Sequence, residues 1–119
     1  MILDKTVRVI LLDEAKEEFE RLNGIAGGQR AKGVENSEEI GLLNSIKNKI
    51  ELLKKNPFYG DNISKKLIPR EYDVPNLWRV ELSSFWRMLY TIRGDQLEII
   101  CFILEILNHK DYNKRFGYK

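Results

Sequence analysis

Residues 77–112 read LWRVELSSFWRMLYTIRGDQLEIICFILEILNHKDY, and the rest of the chain is organised around them. From Leu77 to Leu82, Trp78, Val80 and Leu82 share one face and Leu77, Arg79 and Glu81 the other. From Phe85 to Ile92, Trp86, Met88, Tyr90 and Ile92 fall together, with Arg87 opposite. Period-2 alternation rich in aromatic and β-branched residues predicts strands. Ser83-Ser84 reads as a tight connection between the two runs, and Arg93-Gly94-Asp95 as a second turn. Leu97 to Leu107 is apolar except for Glu98 and Glu105, which predicts a central strand covered on both faces. Glu105 interrupts that run, so a buried partner or an exposed strand end is required there, because an unpaired buried charge is costly.

Arg79 and Arg87 have the same parity relative to their strands' apolar faces. In an antiparallel hairpin that puts both on one surface, within reach of the same anion. His109, the single histidine of the chain, follows the central strand, with Lys110 and Tyr112 just beyond it. Two arginines, a histidine, a tyrosine and lysines converging at the end of a sheet suit phosphate chemistry.

Outward from this stretch, Thr6 to Leu12 is apolar and β-branched, a first strand. Asp13 is placed to cap a helix running to about Asn23, with Ala15, Phe19 and Leu22 on one face and Gly24 as its stop. Gly24 to Gly33 (GIAGGQRAKG) carries four glycines and two bases and reads as a mobile connector; no G-K-[ST] follows to make it a phosphate loop. Asn36 or Ser37 caps a second helix, with Glu39 placed to complete a capping box. Its apolar stripe of Ile40, Leu43, Ile46, Ile50 and Leu53 ends at Asn56-Pro57. Pro57 to Pro75 is an irregular connection holding the basic cluster Lys65, Lys66 and Arg70. The tail after Leu107 predicts a short last helix docked by Phe116 and Tyr118. The order is β-α-α-β-β-β-α, an α+β plan in which an N-terminal strand and a helical hairpin pack on an antiparallel sheet.

The 119 residues predict one domain, 1–119, with a soluble composition of 43% hydrophobic and 32% charged residues. A net charge of +2 by itself does not argue for nucleic acid. The distribution says slightly more: residues 1–63 carry 10 Lys/Arg against 11 Asp/Glu, a net of −1, and residues 64–119 carry 10 against 7, a net of +3. Cys101 lies alone inside the central apolar run, a buried structural thiol rather than a nucleophile. Asp4 and the lack of a basic segment followed by an apolar core give no expectation of a secretory leader. No apolar run approaches the ~20 residues that span a bilayer, so the expected location is cytoplasmic, with no membrane partner.

Cutting RNA without a metal needs a base for the attacking 2′-OH, fixed cations for the non-bridging oxygens and an acid for the leaving 5′-oxygen. Arginine offers a bidentate, always-charged fork for phosphate, and His, Lys or Tyr does the proton work. The chain supplies all of these. It shows no Cys/His metal spacing and no two-metal acidic motif, so neither metal nor cofactor is expected.

At these residues the chain resembles the RelE/ParE toxin superfamily of toxin–antitoxin systems. The likeness runs from about Asn56 to Tyr118, through NPFYG, SKKLIP, LWRVEL, FWRMLYTI and ILNHKDYNKRFGY. It implies a small toxin that cuts mRNA in the ribosomal A site and is restrained by a cognate antitoxin wrapping the sheet. By the same likeness Arg87 matches the arginine of the third strand and Arg79 the basic residue opening the preceding one. Lys65 and Lys66 match the basic segment after the helix, and with Arg70 and Lys110 they form the expected RNA-binding set. His109 matches the position after the last strand, and Tyr112 a tyrosine that stacks or orients the base. Glu81 stands where some relatives carry lysine, either acting itself or pairing with Arg79. Relatives of the ParE type share the fold but target DNA gyrase, so fold alone does not assign the activity.

Overall fold

Alternation of apolar and polar residues builds the sheet, and helical spacing of apolar residues covers it. A computed structural model of the chain describes residues 5–117; Asp4 and Tyr118 lie outside the described residues. The elements are β1 (Thr6–Leu11), α1 (Asp13–Ala31), α2 (Glu38–Lys55), β2 (Asp61–Ile63), β3 (Leu77–Glu81), β4 (Arg87–Gly94), β5 (Glu98–Leu107) and α3 (His109–Phe116). They give the α+β plan expected. The sheet order is β1-β5-β4-β3-β2. From β2 to β5 every pairing is antiparallel; β1 forms one edge, parallel to β5, and the helical hairpin carries the chain from it to β2 at the other edge.

The two faces of the sheet carry separate cores. Val80, Leu82, Met88, Tyr90, Cys101, Ile103 and Ile106 pack against Ala15, Leu22, Ile40, Leu43, Ile46 and Leu53 of the hairpin. On the opposite face Leu77, Leu89 and Leu107 pack with Tyr112 and Phe116 of α3 and with Ile63, Ile68, Tyr72 and Val74. β5 has strands on both sides, as expected. Its parity changes midway, because a bulge in the β4–β5 ladder falls between Leu89 and Tyr90, which pair with Glu105 and Ile103. The residue skipped, Leu104, moves Glu105 and Leu107 onto the α3 face.

Three local expectations are corrected. α1 does not stop at Gly24 but runs 19 residues to Ala31. Ala15, Leu22 and Ala26 keep one buried stripe, while Gly24, Gly27 and Gly28 face outward, where an added Cβ would meet nothing within 4 Å. Each such glycine costs up to ~1 kcal/mol, which packing against α2 offsets. The chain leaves the helix at Gly33, whose φ of +86° is open to glycine. Gln29 then fastens the turn, donating to Glu39 at 2.9 Å and accepting from the Ser37 hydroxyl at 2.5 Å. Ser37 caps α2 by accepting from the Ile40 amide. Second, Asp13 is not the cap of α1. Leu12 holds that position in extended backbone and donates its N–H to the Ile103 carbonyl, prolonging the β1–β5 pairing. Asp13 sits instead in the first turn with Glu14, favourable to the helix dipole. Third, β4 begins at Arg87, not Phe85. Ser84 and Phe85 both have positive φ, +57° and +62°, and form the turn.

Candidate functional site

The α3 face of β3 and β4 holds the candidate site. The register pairs Arg79 with Leu89 and Glu81 with Arg87, so the two arginines sit on one diagonal of the hairpin. α3 supplies the third member. Asn108 caps it, accepting from the Asp111 amide at 2.7 Å, and Gly117 ends it at φ +74°. Tyr112 is buried and stacks on Phe116, with ring centroids 4.5 Å apart, one helical turn on. The Arg79 and Arg87 guanidinium carbons lie 5.9 and 5.3 Å from the centre of the Tyr112 ring. Both are in cation–π range.

The two guanidinium groups are held by different partners. Arg79 Nη1 donates to the Tyr112 hydroxyl at 3.1 Å and Nη2 to Asp61 Oδ2 at 3.2 Å. Burial works against the Arg79 charge, but these hydrogen bonds outweigh it and hold its pKa above the ordinary arginine value. Arg87 Nη1 donates to the Phe85 carbonyl at 2.7 Å, and its Nε lies 3.8 Å from Glu81 Oε1. Its side chain is only 14% exposed. Glu81 therefore pairs with Arg87 and not with Arg79, whose carboxylate partner is Asp61. Among the described residues, the buried side-chain nitrogens without a hydrogen-bond partner are Arg79 Nε and Arg87 Nε. Two such donors on one surface are uncommon in folded proteins.

His109 opens α3 at the rim of the site. Its ring packs at 61° to that of Phe85, centroids 6.2 Å apart, and Nε2 lies 3.1 Å from Asn113 Nδ2. Lys65, Lys66, Arg70 and Lys110 are exposed, and no ion pair holds them among the described residues. Lys65 and Lys66 lie in the single turn Lys65–Leu67. Lys65 and Arg70 line a shallow groove with Ile68 and Tyr72. The structure thus brings Arg79, Arg87 and Tyr112 into contact, sets His109 beside them through Phe85, and leaves the lysines as an outer set.

Glu105 finds its partners on this face. It is 6% exposed, and it accepts from the Tyr72 hydroxyl at 3.0 Å and from Arg115 Nε and Nη2 at 3.2 and 3.1 Å. Burial opposes the Arg115 charge, but its hydrogen bond to Tyr72 and the Glu105 charge prevail and raise its pKa. Burial first, and then the Glu105 charge, push the Tyr72 hydroxyl well above free tyrosine. This network ties α3 to β5 and to the segment before β3. Sequence reading missed Asp61, Phe85 and Arg115. Asp61 becomes a partner only through the β2–β3 register. Arg115 becomes one only through the bulge. No local signal marks either.

Among the described residues, no group of three or more His, Cys, Asp or Glu side chains is placed to hold a metal ion. No described helix is long and apolar enough to cross a membrane. No family model and no curated protein matches the sequence. Solved structures do match. A YoeB/ParE toxin from Agrobacterium tumefaciens superposes at a TM-score of 0.57 with 14% identity, over 86% of this chain and 98% of that one. The E. coli toxin RelE, as a double arginine-to-alanine mutant in the free state, superposes at 0.52 with 10% identity, over 94% of this chain and 95% of that one. At these identities the likeness is one of fold, and it extends over the N-terminal hairpin that the motifs did not reach. The chain has the fold of the RelE/ParE toxin superfamily.

Proposed function

We propose that the chain is the toxin of a type II toxin–antitoxin system, a ribosome-dependent mRNA endoribonuclease working without a metal. One observation carries the reading: two guanidinium groups meet on the Tyr112 ring, each with a buried Nε that makes no hydrogen bond. A phosphate at that surface has donors fixed in advance, and its developing charge in the phosphorane is where preorganised cations act most. Arg87 and Arg79 hold the non-bridging oxygens. His109 and Tyr112 serve proton transfer or orient the base, and Lys65, Lys66, Arg70 and Lys110 hold the RNA backbone. The partners are mRNA in the ribosomal A site and a cognate antitoxin, and the setting is the cytoplasm.

A second reading, a non-nuclease toxin of the ParE type acting on DNA gyrase, is favoured by Asp61 and Glu81, which already stand against the two arginines. Growth and primer extension after inducing wild type and Arg87→Ala separate the two. The nuclease reading expects cuts within translated codons from wild type and none from Arg87→Ala. Growth arrest by both proteins with intact message sinks it, and gyrase-dependent DNA damage then supports the second. Harmless expression of both indicates a toxin fold that only binds a partner.

A further inference from the structure

Phe85 stands in a place that folding does not favour. It is 74% exposed, so its ring gains little from burial. Its φ of +62°, after +57° at Ser84, places both central residues of the β3–β4 turn in the left-handed region. Hairpin turns of that shape take Asn-Gly, and a bulky residue with positive φ is an outlier. Glycine at position 85 would satisfy the turn without strain. Strain of this kind gathers at functional sites.

The surroundings of the ring say what it faces. The Phe85 carbonyl accepts from Arg87 Nη1 at 2.7 Å, so the residue that aims the guanidinium also presents its ring next to it. On the other side the ring meets that of His109 at 61°. Before it in the chain stand the exposed Ser83 and Ser84. This is an aromatic face framed by a cation, an imidazole and hydroxyls, unlike the apolar core of a protein interface. A nucleobase, one ribose away from a phosphate on Arg87 and Arg79, fits it.

We propose that Phe85 is a base-stacking platform, with His109 as its edge, that seats the nucleotide at the phosphate held by Arg87 and Arg79. The inference rests on reading the arginine surface as a ribonuclease site. Stacking on an aromatic face tolerates any base, so Phe85 contributes position and affinity more than choice of base.

The test compares wild type, Phe85→Gly, Phe85→Leu, Phe85→Trp and Arg87→Ala. The readouts are thermal stability, cleavage in a translating extract, and binding of a short single-stranded oligoribonucleotide by fluorescence anisotropy. Phe85→Gly is expected to unfold at or above the wild-type temperature while its cleavage falls about 10- to 100-fold, the size of one lost stack. Phe85→Leu keeps the strained backbone and an apolar side chain, and falls with it; Phe85→Trp recovers most of that loss. Wild-type cleavage by Phe85→Gly overturns the inference. Full cleavage by Phe85→Leu also overturns it, pointing to an apolar contact with a protein partner. If wild type cuts no message, the ribonuclease reading fails by itself, and the oligoribonucleotide decides the platform. Weaker binding by Phe85→Gly and Phe85→Leu upholds it, and equal binding overturns it.

Discussion

Replacing Arg115 with alanine tests whether the Glu105 network seats α3 and, with it, Tyr112. The substitution removes two charge-assisted hydrogen bonds to a carboxylate that is 6% exposed and leaves it the Tyr72 hydroxyl alone. Stripping one partner from a fully buried ion pair costs about 3–5 kcal/mol. Arg115 is about one-third exposed, so water screens part of that loss. Its second pair, with Glu71 at 3.4 Å, lies in the open and adds almost nothing. The expected cost of Arg115→Ala is therefore about 2 kcal/mol. Glu105→Gln keeps the shape and removes the charge, at about 1 kcal/mol. The double variant is expected to cost about 1 kcal/mol less than the two together, because each single change already breaks the same contact. Urea unfolding followed by the fluorescence of Trp78 and Trp86 measures all three. Amide exchange across α3 then distinguishes local fraying of this eight-residue helix, too short to persist alone, from global loss. Costs that add within about 0.5 kcal/mol, or an Arg115→Ala as stable as wild type, refute the network as the tie.

Three further outcomes are expected. Gly60→Ala would set its Cβ 2.7 Å from the Arg79 carbonyl oxygen and 2.8 Å from the Tyr90 hydroxyl; about 1–3 kcal/mol of stability is lost in urea unfolding, and an unchanged midpoint would show that β2 yields freely. Burial pushes the Cys101 thiol up to about 11, so the native chain keeps a proton that the unfolded chain has lost above the ordinary thiol range; stability falls as pH rises toward 11, and Cys101→Ala should flatten that slope in alkaline unfolding curves. Asp95 accepts from the amides of Glu98 and Leu97, which lowers its pKa; their stabilisation is present above the ordinary carboxylate range and lost as pH falls through the lowered value, so the protection of both amides, relative to the intrinsic exchange rate at each pH, should fall in acid, and pH-independent protection would refute the assignment.

Where side-chain period alone sets structure, the sequence was a good guide. Trp78, Val80 and Leu82, with Met88 and Tyr90, reach the hairpin core as their parity requires, and the same parity carries Arg79 and Arg87 to one surface. What escaped reading depends on pairing between distant segments. The bulge at Leu104 leaves no trace in an unbroken apolar run, yet it decides which core Glu105 meets. Propensity also misled at Gly24, because outward-facing glycines do not end a helix whose buried stripe continues at Ala26. The connection read at Ser83-Ser84 is centred one residue on, at Ser84 and Phe85, because the residues best suited to its backbone are absent from it.

The candidate site lies on the α3 face, where the smaller of the two cores sits. The hairpin packs the larger core on the other face, and an arginine inside that core would be sealed in and need complete internal pairing. α3 and the segment before β3 make a smaller cap. Under its rim Arg87 and Arg79 are dry enough for their charge to act strongly and open enough for an anion to reach. The cap must then be fastened by something other than bulk, since α3 buries only Tyr112 completely. The bulge answers that need. It turns Glu105 away from a core with no cation to offer and toward Arg115, and the ion pair it creates holds the helix that carries Tyr112 over both arginines. An irregularity in one strand pairing thereby supports the contact on which the candidate chemistry depends.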